Sequence, residues 1–130
     1  MRRRRPTLPT PPPRDGVEAY LALDSALKHR LRAAVAAEGP LAEYEVRRLA
    51  EEGRACSLVL RAALTRGEER LRDLDADPAS PIVVIAATFR DVGALRRDLG
   101  ELESLLAELQ ERARATRAAW LTASARSTSR

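Results

Sequence analysis

Arginines are the residues of this chain whose type and spacing best fit a chemical task. Arg2, Arg3, Arg4 and Arg5 are adjacent, and five prolines follow within the next eight residues. A guanidinium group binds phosphate oxygens through a planar fork of donors, so four of them on a flexible arm can follow phosphates or enter a DNA minor groove without a folded scaffold. The run predicts a contact with DNA. The alternative is a basic tail that only keeps the protein in solution.

A second group of cations lies farther along the chain. It comprises Lys28, Arg30, Arg32, Arg47 and Arg48. A turn at Gly39-Pro40 would fold the two segments that carry them side by side, which predicts a patch that contacts phosphates and a break like that of helix-turn-helix proteins. Acidic residues stand among these arginines, which weakens the case for a DNA-reading helix.

Side chains suited to catalysis are few. With one histidine and one cysteine, the chain lacks ligands for a metal site and partners for a nucleophilic triad. Its six glycines are scattered and form no phosphate-binding loop. The carboxylate pairs Glu51-Glu52 and Glu68-Glu69 fit solvated helix faces better than acid-base chemistry, and His29 is expected on the surface. We therefore expect no enzyme activity, no metal and no cofactor.

The net charge of +4 over 130 residues is strongly segregated. Residues 1–14 carry five arginines and no acid, residues 15–111 carry all 19 acids and a net charge of −6, and residues 112–130 again carry five arginines and no acid. An acidic body with two basic ends suits a polyanionic partner. The longest uncharged apolar run, 81–89, is far shorter than the roughly 20 residues that cross a bilayer, so no membrane partner is expected.

The first half of the chain predicts an arm and two helices. Residues 1–14 are rich in proline and arginine, and we expect them to be disordered. Apolar residues at helical spacing then predict a helix over 16–38, ended by Gly39-Pro40, and a second over 41–64. Gly53 inside the second helix would let a neighbouring backbone come close. We expect the acidic stretch 65–77 to form at most a short helical turn, which Asp77-Pro78 would end.

The second half predicts the longest helix, over 81–121, followed by a disordered basic tail over 124–130. Ser80 and Pro81 are residue types typical of a helix start. The β-branched run 82–85 could also form a strand, but Pro81 and the continuing period favour helix. Trp120, near the end of this helix, would cap the apolar stripe or anchor a partner. The helical domain as a whole is therefore expected over 15–123.

These patterns predict an all-α fold, with a helical hairpin followed by a long C-terminal helix that bears a heptad-like stripe. At about 1.5 Å per residue the last helix would be near 60 Å long, more than two shorter helices can cover. We therefore expect a homo-oligomer in which part of the stripe pairs between chains as a coiled coil. The expected oligomerisation surface comprises Leu95, Leu99, Leu102, Leu105, Leu106 and Leu109. The alternative is that the same leucines close an intramolecular three-helix bundle.

The layout resembles the small terminase subunit of tailed bacteriophages. The resemblance rests on four local stretches: Arg4-Arg5-Pro6-Thr7, Gly39-Pro40-Leu41-Ala42-Glu43, Asp77-Pro78 through Ile85, and Leu121 to Arg126. The acidic second helix and the uninterrupted length of the third depart from that family. The resemblance implies a non-catalytic DNA-packaging factor that oligomerises, grips viral DNA and presents it to a large ATPase and nuclease subunit.

A second function fits the same sequence. The chain could be a coiled-coil structural or adaptor protein whose basic ends dock on an acidic protein partner. In both cases we expect a cytoplasmic protein, in the host cytoplasm if it is viral, because prolines follow the first arginines where a secretory signal would have apolar residues.

Overall fold

The computed structural model describes residues 25–128, and regular structure in this part of the chain is helical. α1 covers residues 25–36, α2 is Glu43–Ala76 and α3 is Ile82–Thr128. Helices account for 89% of the described residues, and none of those residues lies in a strand. The all-α prediction is therefore confirmed, and the β-branched run after Pro81 is helical.

The three helices run up, down and up around one core. α2 is antiparallel to α3, because Arg61 bonds Glu103 while Glu43, at the start of α2, bonds Arg117. α1 runs in the same direction as α3, since its contacts with α3 progress from Asp98 toward the C-terminus. Leucines from all three helices meet between them, and their burial is the main favourable contribution to the fold. The buried leucines are Leu27, Leu31, Leu49, Leu60, Leu99, Leu102 and Leu109.

The link between α1 and α2 is tied to α3 by one guanidinium group. Gly39 has φ +89°, a backbone conformation that glycine adopts without steric cost. Arg112 of α3 donates hydrogen bonds to the carbonyl oxygens of Val35 and Gly39, at 3.1 Å for Gly39. Val35 lies in the last turn of α1, where carbonyls lack partners within the helix and a cation is favoured. The predicted stop at Gly39-Pro40 therefore coincides with a cap supplied from another helix.

α2 is longer than the sequence predicts, because it continues past residue 64 to Ala76. Gly67 weakens a helix, but here it lies against α3, where an added Cβ would stand 3.1 Å from Cγ2 of Val92. Packing against α3 outweighs the low local propensity. The helix then ends before Asp77, whose carboxylate accepts a hydrogen bond from the Ala79 amide at 2.9 Å.

α3 also exceeds its prediction, because it runs to Thr128 through most of the expected disordered tail. The hydroxyl of Thr122 donates to the carbonyl of Ala118, four residues earlier, at 2.8 Å, and the turns between are rich in alanine, the best helix former. The predicted arm over 1–14 and the predicted start of the first helix lie outside the described residues. So do residues 129 and 130 at the end of the tail.

The six leucines of the expected oligomerisation surface lie in the core of the single chain. Leu102 and Leu109 are completely buried, Leu99 is buried, and Leu95, Leu105 and Leu106 pack against them half-buried. This is the arrangement that the intramolecular alternative describes. A seam between chains through these same leucines stays a prediction, and it would have to compete with the contacts made within the bundle.

The early positions of the α3 stripe divide between solvent and core. The apolar spacing predicts Ile82, Phe89 and Val92 on one stripe, but Ile82 and Phe89 are 82% and 64% exposed, whereas Val92 is buried. The residues of α3 that are buried or packed on the core keep an alternating spacing of four and three: Thr88, Val92, Leu95, Leu99, Leu102, Leu106 and Leu109. Phe89 therefore lies one residue out of the register that faces the core.

Candidate functional site

The predicted nucleic-acid-binding residues divide between the two regions of the chain. Arg2, Arg3, Arg4 and Arg5 lie outside the described residues. The five cations of the helical patch are described, and all five form ion pairs with acidic residues of the same chain. The ion pairs of these five cations fall into three groups.

Lys28 is the least accessible of the five cations, with 5% of its surface exposed. Its ammonium group lies 3.2 Å from a carboxylate oxygen of Asp98 and 3.3 Å from one of Glu101. Arg32, one turn later on α1, bonds the same oxygen of Glu101 at 3.3 Å. A buried cation needs such partners because leaving it unpaired is costly. These two residues therefore fasten α1 to α3.

Arg30 and Arg48 meet at Glu52, on the side where α1 contacts α2. The distances from their guanidinium nitrogens to the Glu52 carboxylate are 2.6 Å and 3.3 Å. The hydrogen bond from Arg30, followed by its charge and by Arg48, holds the pKa of Glu52 below its ordinary value, against the opposing effect of burial. This cluster therefore stabilises the fold at neutral pH, and its contribution disappears as the pH falls through the acid range where Glu52 takes up a proton.

Arg47, next to Arg48 in the first turns of α2, pairs with a different acid from the other four cations. It is 3.9 Å from Glu43, whose carboxylate also accepts a bond of 3.1 Å from Arg117 of α3. All three residues line a groove between α2 and α3.

This groove, which we call the α2–α3 groove, has a volume of about 830 Å³. Its floor is apolar and includes Val46, Ala50, Leu109 and Ala113. No residue of α1 over 25–36 lines it. Trp120 stands in its wall and is 67% exposed. The groove thus lies on the face of the α2/α3 pair that α1 leaves open.

Interhelical ion pairs delimit the α2–α3 groove along the bundle. Farther up the same face, Arg61 bonds Glu103, and Arg96 bonds Glu68 at 3.4 Å. Toward the other end, the pair Glu43–Arg117 joins the two helices, and Trp120 lies one turn beyond it on α3. Between these cross-links the facing residues are Arg54 on α2 and Gln110 and Arg114 on α3. No ion pair between described residues joins the two helices at this level.

Sequence reasoning misses most of the residues that line the groove. For Trp120 the sequence leaves two alternatives, and its exposure favours the anchor over the cap. Arg54 and Arg114 lie 60 residues apart in sequence, and only the antiparallel register of α2 and α3 brings them to one groove. The run of arginines without acids after Glu111 is the one signal that points to this end of the bundle.

The described residues contain no group of three or more histidine, cysteine or acidic side chains placed to hold a metal ion. None of the described helices is both long enough and apolar enough to span a membrane. No protein-family model, curated protein or solved structure matches this chain. The fold and the geometry of its charges are therefore the basis for a functional proposal.

Proposed function

We propose that this protein is a non-catalytic, oligomeric DNA-binding factor. The observation that carries the proposal is the segregation of charge, with five arginines and no acid at each end of an acidic body. Such ends attract a polyanion even though the net charge of the chain is only +4. In salt the electrostatic field of a charge is screened within about 10 Å, so the local cluster of arginines determines the attraction and the distant acids contribute little.

The arginine run Arg2 to Arg5 is the expected main contact with DNA. The five cations of the helical patch are already matched by carboxylates, so phosphates would have to displace those partners. The arm has no acidic residue to displace. On this proposal the helical bundle is a scaffold, and the arm supplies the affinity.

The resemblance to phage small terminase subunits suggests the biological setting. In that setting the protein would assemble into a homo-oligomer and present viral DNA to a large ATPase and nuclease subunit. On this proposal, further chains would cover exposed apolar residues of the described helices, such as Leu58, Phe89 and Trp120.

The test is binding of a fluorescent DNA duplex, measured by anisotropy at several salt concentrations. Replacing Arg2 to Arg5 by Ala should weaken binding and make the slope of log K against log salt shallower by about 0.9 for each phosphate that the arm no longer neutralises. The matched control replaces four exposed arginines of the body, Arg66, Arg70, Arg90 and Arg97, which gives the same net charge. If both variants weaken binding equally, the arm is not the specific contact. Undiminished binding by the arm variant would move the contact to the bundle.

A second candidate function is a helical adaptor that docks on an acidic protein. The pairing of all five patch cations favours it, because charges held in ion pairs build a rigid bundle rather than a phosphate-reading surface. Light scattering on an eluting peak, with and without DNA, separates the two functions. A large closed oligomer that gains mass with DNA supports the DNA-binding factor, and a monomer or dimer indifferent to DNA supports the adaptor.

A further inference from the structure

The α2–α3 groove combines the residue types that dominate protein interfaces. Trp120 is an exposed aromatic side chain, and arginines stand along both rims. Tryptophan and arginine are enriched among the residues that carry most of the binding energy of interfaces. An isolated exposed tryptophan would mean little, but this one borders a concavity with an apolar floor.

The charge of the groove is positive and unevenly balanced. Four arginines and two glutamates line it, namely Arg47, Arg54, Arg114, Arg117, Glu43 and Glu51. Glu43 is engaged by Arg47 and Arg117, and Arg114 bonds Glu111 within α3 at 3.5 Å. Arg54 forms no ion pair with any described residue. A partner with carboxylates above an apolar surface would match both the rims and the floor.

We propose that the α2–α3 groove is the docking site for an acidic amphipathic helix of a protein partner. The apolar face of that helix would lie on Val46, Ala50 and Ala113 and against Trp120. Its carboxylates would pair with Arg54 and Arg114 on opposite rims. This proposal goes beyond DNA binding, because it assigns a second, protein-binding surface to the bundle.

The bundle itself indicates why the partner is a helix. On its other face the same two helices already receive α1, whose Leu27 and Leu31 fill the space between them and whose cations pair with acids on the rims. The α2–α3 groove lies between the same two helices, and the arginines that line it outnumber the glutamates. From Leu109 to Trp120 the groove follows about three turns of α3, roughly 16 Å at 1.5 Å per residue. A helix of three to four turns would fill it, as in other helix-in-groove complexes.

Binding can be read directly, because Trp120 is the single tryptophan of the chain. The probes are three synthetic, tryptophan-free, helix-favouring peptides with the same leucine face, whose other positions are all Glu, all Gln or all Lys. We expect the Glu peptide to shift the Trp120 emission to shorter wavelength and to bind at least about tenfold more tightly than the Lys peptide, a gap that narrows with salt. No emission shift with the Glu peptide, or equal affinities for all three, would overturn the proposal.

The variant R54E/R114E reverses the charge of one arginine on each rim. The control R90E/R97E reverses the charge of two exposed arginines outside the groove. The Glu peptide should bind the first variant about tenfold more weakly and the second with unchanged affinity. Circular dichroism of both variants establishes that the bundle is intact. The variant W120A repeats the test without a change of charge, with binding measured by the anisotropy of a labelled peptide. An equal weakening in both variants would mean attraction by net charge alone and would overturn the proposal. So would a DNA duplex that produces the same emission shift and displaces the peptide, because the groove would then be a nucleic-acid site.

Discussion

Gly53 shows how one residue sets the distance between two helices. It is buried in α2, and a Cβ at this position would collide with the side chain of Leu106, including its Cγ at 3.1 Å. The sequence suggests that this glycine admits a neighbouring backbone, whereas the neighbour is a leucine side chain from the core. Glycine is retained here at a cost in helix propensity of about 1 kcal/mol because the space belongs to Leu106.

Gly53→Ala should therefore lower the free energy of unfolding by about 1 kcal/mol. Overpacking costs about 1–3 kcal/mol, and the gain in helix propensity of about 1 kcal/mol offsets only part of it. Gly100→Ala is the matched control, because an added Cβ at this exposed position in α3 meets no atom within 4 Å. That variant should gain about 0.5–1 kcal/mol. Urea denaturation measures both, and equal gains in the two variants would show that Leu106 yields freely.

At the scale of elements, α1 depends on contacts supplied by α3. The carbonyl oxygens at the end of α1 and in the following link are bonded by Arg112, more than 70 residues away in sequence. In the sequence Arg112 is only one cation of a basic end. The guanidinium group links the C-terminal end of α1 to the middle of α3, so it stabilises the position of the whole helix α1 rather than a local turn.

Arg112→Ala should release the C-terminal end of α1. We expect a loss of about 1.5 kcal/mol, because hydrogen bonds from a charged donor are worth more than neutral ones and the bond to Val35 is part-buried. Hydrogen exchange should accelerate over residues 31–39 and stay unchanged at the far end of α2. Arg114→Ala is the control, since it removes an arginine two positions away whose ion pair lies within α3. If the exchange rates over residues 31–39 are equal in the two variants, Arg112 does not cap α1.

Helix type and order can be predicted from the sequence, but extents and pairings cannot. Apolar spacing and the Ser80-Pro81 start suffice for α3, and Gly39-Pro40 suffices for the link between α1 and α2. The extension of α2 through Gly67 escapes prediction because the compensating contact with Val92 comes from another helix. The α2–α3 groove escapes it for the same reason, since its rims meet only through the register of two antiparallel helices.

At the scale of the whole molecule, the leucine core decides between two kinds of assembly. Leu102 is completely buried among leucines of its own chain. Leu102→Ala should lower the free energy of unfolding by about 2–5 kcal/mol through reduced burial and a residual cavity. If these leucines serve only the single bundle, the mass of the folded particle by light scattering stays unchanged. If the mass of the particle falls under conditions in which the protein is still folded, the seam lies between chains, as the heptad pattern predicts.

The parallel course of α1 and α3 has a consequence for synthesis on the ribosome. α1 emerges first, but Asp98, which pairs with Lys28, is made 70 residues later, and Arg112, which bonds the Gly39 carbonyl, is made 73 residues after that glycine. At about 5–20 residues per second, α1 waits for roughly 4–14 s with its leucines uncovered on the side that α3 will occupy. During that interval the nascent chain exposes an apolar surface to chaperones and to other nascent chains that are translated from the same mRNA. Assembly of the bundle is therefore completed only when the last helix arrives.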